Sequence, residues 1–242
     1  MRVARAPNHL GDGVMALPAL TALARSGPLT IAAPGWGSVL YRDLPATVIP
    51  RGRLPRCDAA VLFPPSLRAA WEARCARRRI GTATDHRRWL LTDVVEEGTH
   101  RADTYARLVG VLGLSVDGPP RWARRDTDPV ADVPADHVGL NPVSVSGEVR
   151  EWPYFGALAR SLDRPVVVYG GPGEEARVRP RAGPHPLRVG LDLPTFAAAL
   201  SRCALFVSND SGAAHFARAV GVPTLVVYGS TAWAPAGPVR SG

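Results

Sequence analysis

The chain has 242 residues, 46% of them hydrophobic and 21% charged, with a formal net charge of +8 at pH 7. That balance excludes a disordered chain, and the length allows one large domain or two small ones with real cores. The charge favours anionic partners, whether nucleic acid, an anionic membrane face or a phosphorylated substrate. All 29 basic residues are arginine, they form no long run, and no nucleic-acid motif accompanies them, so nucleic acid is not expected as a partner. Cys57, Cys75 and Cys203 are widely spaced, with no CxxC pair and no Cys/His cluster, and read as isolated buried thiols. Asn8, His9 and Asp12 interrupt the first twenty residues too often for a signal-peptide core, and no apolar stretch reaches bilayer length. A cytoplasmic protein is expected, with a basic face able to rest on the inner membrane.

In chain order, Arg2–Ala6 reads as a first strand and Val14–Ala24 as a helix with Leu17, Leu20 and Ala24 along one face. Pro18 falls in its first turns, where a missing N–H costs least. Leu29–Ala33 and Ala59–Phe63 are strands ended by Pro34-Gly35 and Pro64-Pro65, and helices fit Leu67–Arg78 and Ala102–Leu112. Prolines 119, 120, 129 and 134 among charged residues mark Ser115–Asp136 as a linker. The pattern then restarts. Val138–Asn141, Pro165–Tyr169, Leu187–Val189, Ala204–Ser208 and Thr224–Tyr228 are strands, with helices at Pro153–Ser161, Glu174–Val178, Leu193–Ser201 and Ser211–Val220. Strand and helix alternate in both halves, which predicts two doubly wound α/β domains, over 1–125 and 136–242, with ligands beyond the carboxyl ends of the strands.

The richest stretch is Leu205 to His215, where an apolar strand runs into Asn209-Asp210-Ser211-Gly212 and a small-residue helix. Amides at such a helix start can receive an anion, and Gly212 lets a phosphate approach the backbone. Asp210 or Ser211 reads equally as a plain N-cap, and His215 as a helix residue with a local partner. Gly170-Gly171-Pro172-Gly173-Glu174 follows a strand but has the wrong glycine spacing for a dinucleotide fingerprint. Glu174 is there either a ribose-binding acid or an ordinary N-terminal helix carboxylate. Between Asn141 and Pro153, Ser146 and Arg150 have the chemistry to bind a diphosphate, and Trp152 reads as core. Asp12, between Gly11 and Gly13, is a general base or a turn residue. Arg74, Arg77, Arg78, Arg79, Arg87 and Arg88 form a solvated face or meet a phosphorylated lipid.

Taken in order, Gly11-Asp12 with Leu17-Pro18-Ala19-Leu20, Arg150-Glu151-Trp152-Pro153, Gly170-Gly171-Pro172-Gly173-Glu174, Asn209 to His215 and Gly221-Val222-Pro223-Thr224 running into Tyr228-Gly229-Ser230-Thr231 resemble glycosyltransferase family nine, the ADP-heptose:lipopolysaccharide heptosyltransferases. The resemblance implies two Rossmann-like domains in a GT-B architecture with an interdomain cleft, here with a shortened C-terminus because the chain ends soon after Trp233. It implies inverting transfer of a heptose or related sugar from ADP-heptose to a lipopolysaccharide core or other anionic surface glycolipid, without metal or cofactor. Asp12 is then the base that deprotonates the acceptor hydroxyl, and domain closure brings it to the donor. The donor is held by Ser146, by Arg150 where the family commonly has Lys, by Glu174 (or Glu175), and by Asp210, Ser211, Gly212 and His215. Arg87 and Arg88 are the acceptor-binding candidates. Other readings are a non-catalytic nucleotide-sugar-binding protein, a nucleotide-sugar epimerase and, more distantly, an NAD oxidoreductase. No oligomeric state is specified.

Overall fold

The computed structural model describes residues 1–125, 127–128, 132–144, 147 and 151–228. They form two compact units, one over Met1–Pro120 and a second that begins at Arg121. The first unit thus ends inside the proline-bearing segment, and Trp122, just beyond it, is buried on the second unit's own helix with its ring 5.1 Å from Phe216.

The first unit is a six-stranded parallel sheet. Its strands are β1 (Arg2–Arg5), β2 (Leu29–Ala33), β3 (Thr47–Pro50), β4 (Ala59–Leu62), β5 (Arg78–Thr82) and β6 (Asp93–Val95), in the spatial order β3-β2-β1-β4-β5-β6. Strand β4 is apolar throughout and β1 between its terminal arginines, and they pair in register, Val3 on Ala60 and Ala4 on Val61, because a parallel sheet covered on both faces has no side left for water. The expected helix after β1 is two helices, α1 (Leu10–Met15) and α2 (Leu17–Arg25). Pro18 in the first turn of α2 donates no hydrogen bond back into α1, so the axis breaks at Ala16. Short helix α3 (Gly37–Leu40) and strands β3, β5 and β6 were not expected from the sequence. The expected helix over Leu67–Arg78 stops as α4 at Glu72, and Arg78 and Arg79 open β5 instead. Two arginines look helical in isolation. Here Arg78 is held in the sheet by Asp93 of the neighbouring strand at 2.6 Å. Helix α5 (Arg101–Gly110) completes the unit.

The second unit repeats the winding with β7 (His137–Asn141), β8 (Val166–Gly170), β9 (Leu187–Val189), β10 (Cys203–Asn209) and β11 (Thr224–Val227), all parallel in the order β11-β10-β7-β8-β9. Helices α6 (Phe155–Ser161), α7 (Glu175–Ala182), α8 (Leu193–Leu200) and α9 (Gly212–Val220) flank it. These strands and helices match the sequence expectations to within a few residues. In β7, Gly139 is required by packing, since a Cβ there would lie 2.8 Å from the Phe206 ring and 3.0 Å from the Cys203 sulfur.

The far ends of the same strands carry a buried polar knot. His137 is fully buried, with Nδ1 2.8 Å from the Pro134 carbonyl and Nε2 2.8 Å from the Tyr169 hydroxyl and 3.0 Å from Cys203 Sγ. Since Nδ1 donates to the carbonyl, neutral Nε2 accepts from both neighbours. Burial holds the imidazole below its ordinary pKa, and the nearby Arg202 adds to this. The native state therefore binds fewer protons at this site than the unfolded chain. Stability from His137 is complete above about pH 6.5 and is lost as pH falls from there through the depressed native value. Urea midpoints measured from pH 7.5 to 5 are expected to fall, and His137→Gln to flatten that slope. An unchanged slope in the variant removes His137 as its source. Tyr169→Phe is expected to cost about 1 kcal/mol at pH 7.5.

Candidate active site

In each sheet the strand order reverses beside its first strand, between β1 and β4 in one unit and between β7 and β10 in the other. Chains leave such a reversal in opposite directions, and a crevice opens at the carboxyl ends of the strands.

In the first unit, β1 ends there on Arg5, which is 3% exposed. Its guanidinium donates to Ala6 O at 2.6 Å, to Asn8 Oδ1 at 2.9 Å and to Glu72 Oε2 at 2.7 Å. Three acceptors around one buried cation define the course of the loop between β1 and α1. Asp12 follows in the first turn of α1, partly buried, with its backbone carbonyl accepting from Ala16 N at 3.0 Å. The turn is closed from the other side, where a Cβ on Gly13 would lie 2.5 Å from the Trp36 ring. Tyr41 is buried and donates its hydroxyl to Gly13 O at 3.4 Å. From α5, Arg101 brings Nε to 3.3 Å from Asp12 Oδ1. Burial raises the proton affinity of the Asp12 carboxyl, opposed first by Arg101 and then by His9. A carboxylate of raised basicity in a pocket still reached by solvent has the character of a proton acceptor.

Arg87 does not reach this crevice. It is wholly buried, with its guanidinium donating to Thr82 O, Pro64 O, Ser66 O and Thr82 Oγ1 at 2.8, 2.6, 3.0 and 3.1 Å. It staples the loops after β4 and β5 and has no face to offer an acceptor, which corrects the expectation for this residue. Its neighbour Arg88 is exposed.

In the second unit, the reversal is closed by short polar side chains. Asn141 Nδ2 donates to Ser208 Oγ at 3.2 Å and Ser211 Oγ at 3.0 Å, and the two hydroxyls are 3.0 Å apart. Asn209 Oδ1 accepts from Trp152 N at 2.9 Å, and Ser144 Oγ lies 3.5 Å from Asp210 O. Ser211 is the N-cap of α9 but makes no side-chain cap bond, so its hydroxyl belongs to the Asn141 cluster and not to the helix amides. Gly212 opens the helix half-buried, and His215 is 7% exposed one turn in. The charge of Asp210 reaches Tyr228, just past β11, whose phenol is raised chiefly by burial.

Glu174 is not loose. Its Oε2 accepts from Gly171 N at 2.7 Å, and Oε1 lies 3.3 Å from Arg177. Arg177 also donates to Ser144 O at 3.0 Å and pairs with Glu151. Glu151, with a side chain only 2% exposed, further accepts from Ser144 N and Arg181, both at 2.9 Å. The loops after β7 and β8 are thereby fastened to α7. Asp210, Ser211, Gly212 and Glu174 lie at the carboxyl ends of β8 and β10, with His215 behind them in α9. Ser146 and Arg150 lie outside the described residues. Sequence reasoning did not single out Arg5, Glu72, Tyr41, Arg101 or Arg177, and Glu151 went unremarked within a quoted motif. A charged residue ending an apolar strand is the signal that would have found Arg5. The others meet only through long-range folding. Among the described residues no group of three or more His, Cys, Asp or Glu side chains is arranged to hold a metal ion.

A sequence profile described as glycosyltransferase family 9 (heptosyltransferase) matches residues 52–241. The chain belongs to glycosyltransferase family 9. Among solved structures it is similar to the E. coli ADP-heptose lipopolysaccharide heptosyltransferase II, at 20% identity and a TM-score of 0.79 over 98% of this chain and 87% of that one. It is also similar to a family 9 glycosyltransferase from Veillonella parvula, at 22% identity and a TM-score of 0.76 over 99% and 85% of the two chains. For the E. coli heptosyltransferase WaaC with ADP the values are 17%, 0.75, 98% and 90%. At such identities these likenesses show the fold, which is that of the GT-B glycosyltransferases. A search of curated proteins finds no match. No helix among the described residues is long and apolar enough to cross a membrane.

For this family 9 member, Glu151 is expected to matter to stability. Glu151→Leu takes the carboxylate from Arg181 and leaves Arg177 with Glu174 alone, and because both guanidiniums are partly exposed the expected cost is about 1–2 kcal/mol. Chemical denaturation followed by the tryptophan fluorescence of the second unit measures it, and a loss under about 0.5 kcal/mol shows the cluster to be ornamental to the fold.

Proposed function

We propose that the chain transfers a heptose or related sugar from ADP-heptose to a lipopolysaccharide core or other anionic surface glycolipid, with inversion and without a metal. The observation that carries the proposal is Asp12, a carboxylate of raised basicity at the strand-order reversal of the first unit, in a glycosyltransferase family. In this mechanism Asp12 takes the proton of the acceptor hydroxyl as that oxygen attacks the anomeric carbon. The bond from the anomeric carbon to the diphosphate breaks on the opposite face, and ADP leaves with the electron pair. A developing diphosphate charge suits the second unit's crevice, where the amides at the start of α9 meet it without reorganisation. Ser211, Gly212, Asp210 and His215 belong to that donor site, Glu174 to the ribose, and Ser146 and Arg150 to the phosphates. ADP is bound by WaaC in its solved complex, and the same nucleotide is assigned here.

On the acceptor side, Arg88 and the net charge of +8 favour an anionic glycolipid. Exposed Trp71, with Arg74 5.0 Å above its ring, and exposed Trp89 are suited to a peripheral contact with an anionic bilayer face. The protein acts in the cytoplasm in this account.

Three outcomes are expected. Asp12→Asn lowers transfer by about 10²–10⁴-fold and leaves ADP affinity, measured by calorimetry, unchanged. Retained turnover takes the base role from Asp12. Calorimetric titration with ADP, UDP and GDP shows ADP preferred and weakened at least tenfold by Asp210→Ala, whereas preference for UDP or GDP reassigns the donor. Dialysis against EDTA leaves the rate within twofold, and a loss restored by a divalent cation overturns the metal-free mechanism.

A further inference from the structure

Arg101 stands where helix physics disfavours it. It is the first residue of α5, and a cation in the first turn opposes the helix dipole by about 0.3–1 kcal/mol. The start of α5 is nonetheless firmly built. His100 Nδ1 accepts from Ala102 N at 3.1 Å, Asp103 Oδ2 accepts from His100 N at 3.2 Å, and Thr104 Oγ1 accepts from Gly98 N at 2.9 Å. One turn on, Tyr105 is buried with its ring 5.1 Å from Phe63 at the end of β4. The backbone that carries Arg101 is therefore fixed relative to the crevice, and a side chain launched from it reaches Asp12 with little freedom to lose. A residue that breaks a local rule on a rigid support, beside the candidate base, is where a functional constraint is expected.

The surroundings of Asp12 are mixed. Arg101 from α5 and His9 at the head of α1 stabilise its charge, while burial disfavours it. The two phenols that face it, Tyr41 from the end of α3 and Tyr105 from α5, are held protonated by burial and by the carboxylate itself. Arg101 is thus the one permanent cation acting on Asp12 among the described residues, and it also lies against the Tyr105 hydroxyl. Its Nε approaches Oδ1, and Oδ2 has no hydrogen-bond partner among the described residues.

We propose that Arg101 is a positioning residue for Asp12, its guanidinium holding Oδ1 and leaving Oδ2 as the edge that meets the acceptor hydroxyl. The proposal rests on the reading of Asp12 as the base. Arg101 opposes the burial that disfavours the charged base, and keeps it from rotating. Arginine is suited to both tasks because its planar fork stays charged at every pH of interest.

The test is a carboxyl titration. Protein labelled with carbon-13 at the aspartate carboxyl carbons is titrated by NMR, the Asp12 signal being assigned by its loss in Asp12→Asn. The Asp12 midpoint is expected to rise by about one pH unit in Arg101→Ala, and the acid limb of kcat/KM to rise with it, so that the rate falls about tenfold below the limb. In Arg101→Lys the charge survives and the fork does not. Its midpoint stays near that of the wild type while kcat drops about tenfold, and this variant also controls for misfolding in the alanine protein. ADP affinity is unchanged in both. An Asp12 midpoint that does not move in Arg101→Ala overturns the assignment of Arg101. Full turnover by Asp12→Asn overturns the base reading instead, and the two failures are separately visible because the titration needs no turnover.

Discussion

A parallel sheet that reverses its strand order leaves polar groups at the reversal, and those groups must satisfy one another before anything else can be built there. Both units of this protein meet that demand, by opposite means. The first places a full charge, Arg5, at the end of its central strand and surrounds it with Glu72, Ala6 O and Asn8. An unpaired cation in that position would cost several kcal/mol, so the loop that supplies its acceptors has one course. The second uses neutral donors and acceptors, with Asn141, Ser208 and Ser211 in a closed triangle. The closure itself is neutral, so the charges at these strand ends come from Asp210 and Glu174 beside it.

The remaining features of each crevice follow from that closure. Once Arg5 has set the loop after β1, α1 starts where Trp36 can pack on Gly13, and Asp12 is turned toward α5. Once the triangle has fixed the end of β10, α9 must begin at Gly212, with its first amides at the crevice. The loops after β7 and β8 need a separate anchor, and Glu151 with Arg177 and Arg181 provides it. Buried polar contacts of this kind contribute little net stability relative to an apolar core, but they leave few alternative arrangements.

Arg87 shows how the same chemistry misleads. It stands in an arginine-rich stretch that reads as a solvated or ligand-binding face, yet its guanidinium is enclosed by carbonyls of two loops. Residues Asp85 and His86, at φ of 54° and 53°, take the left-handed conformation that turns Arg87 inward, and Asp85 is held there by Leu67 N at 2.6 Å. Asp and His are among the non-glycine residues that take this conformation most readily, but nothing in the local pattern announces two in succession.

The alternation of strand and helix, the fold class and the strands of the second unit were legible in the sequence, because they depend on apolar runs and on turn residues that act within a few positions. Asp12 and the Asn-Asp-Ser-Gly turn were legible as candidates for the same reason, since each lies between a strand and the body of the helix that follows it. Strands β3, β5 and β6 were not, because β3 and β6 are short edge strands and β5 opens on two arginines, so each is defined by its partner and not by its own pattern. Nor were Arg5, Arg101, Glu151 and Arg177 as members of a site. The contacts that give them meaning join residues 67 apart for Arg5 and Glu72, and 26 apart for Arg177 and Glu151. Local sequence determined which elements form and which turns carry reactive groups. Only the tertiary structure decided which charges face those groups, because that depends on how the chain returns to the same strand end.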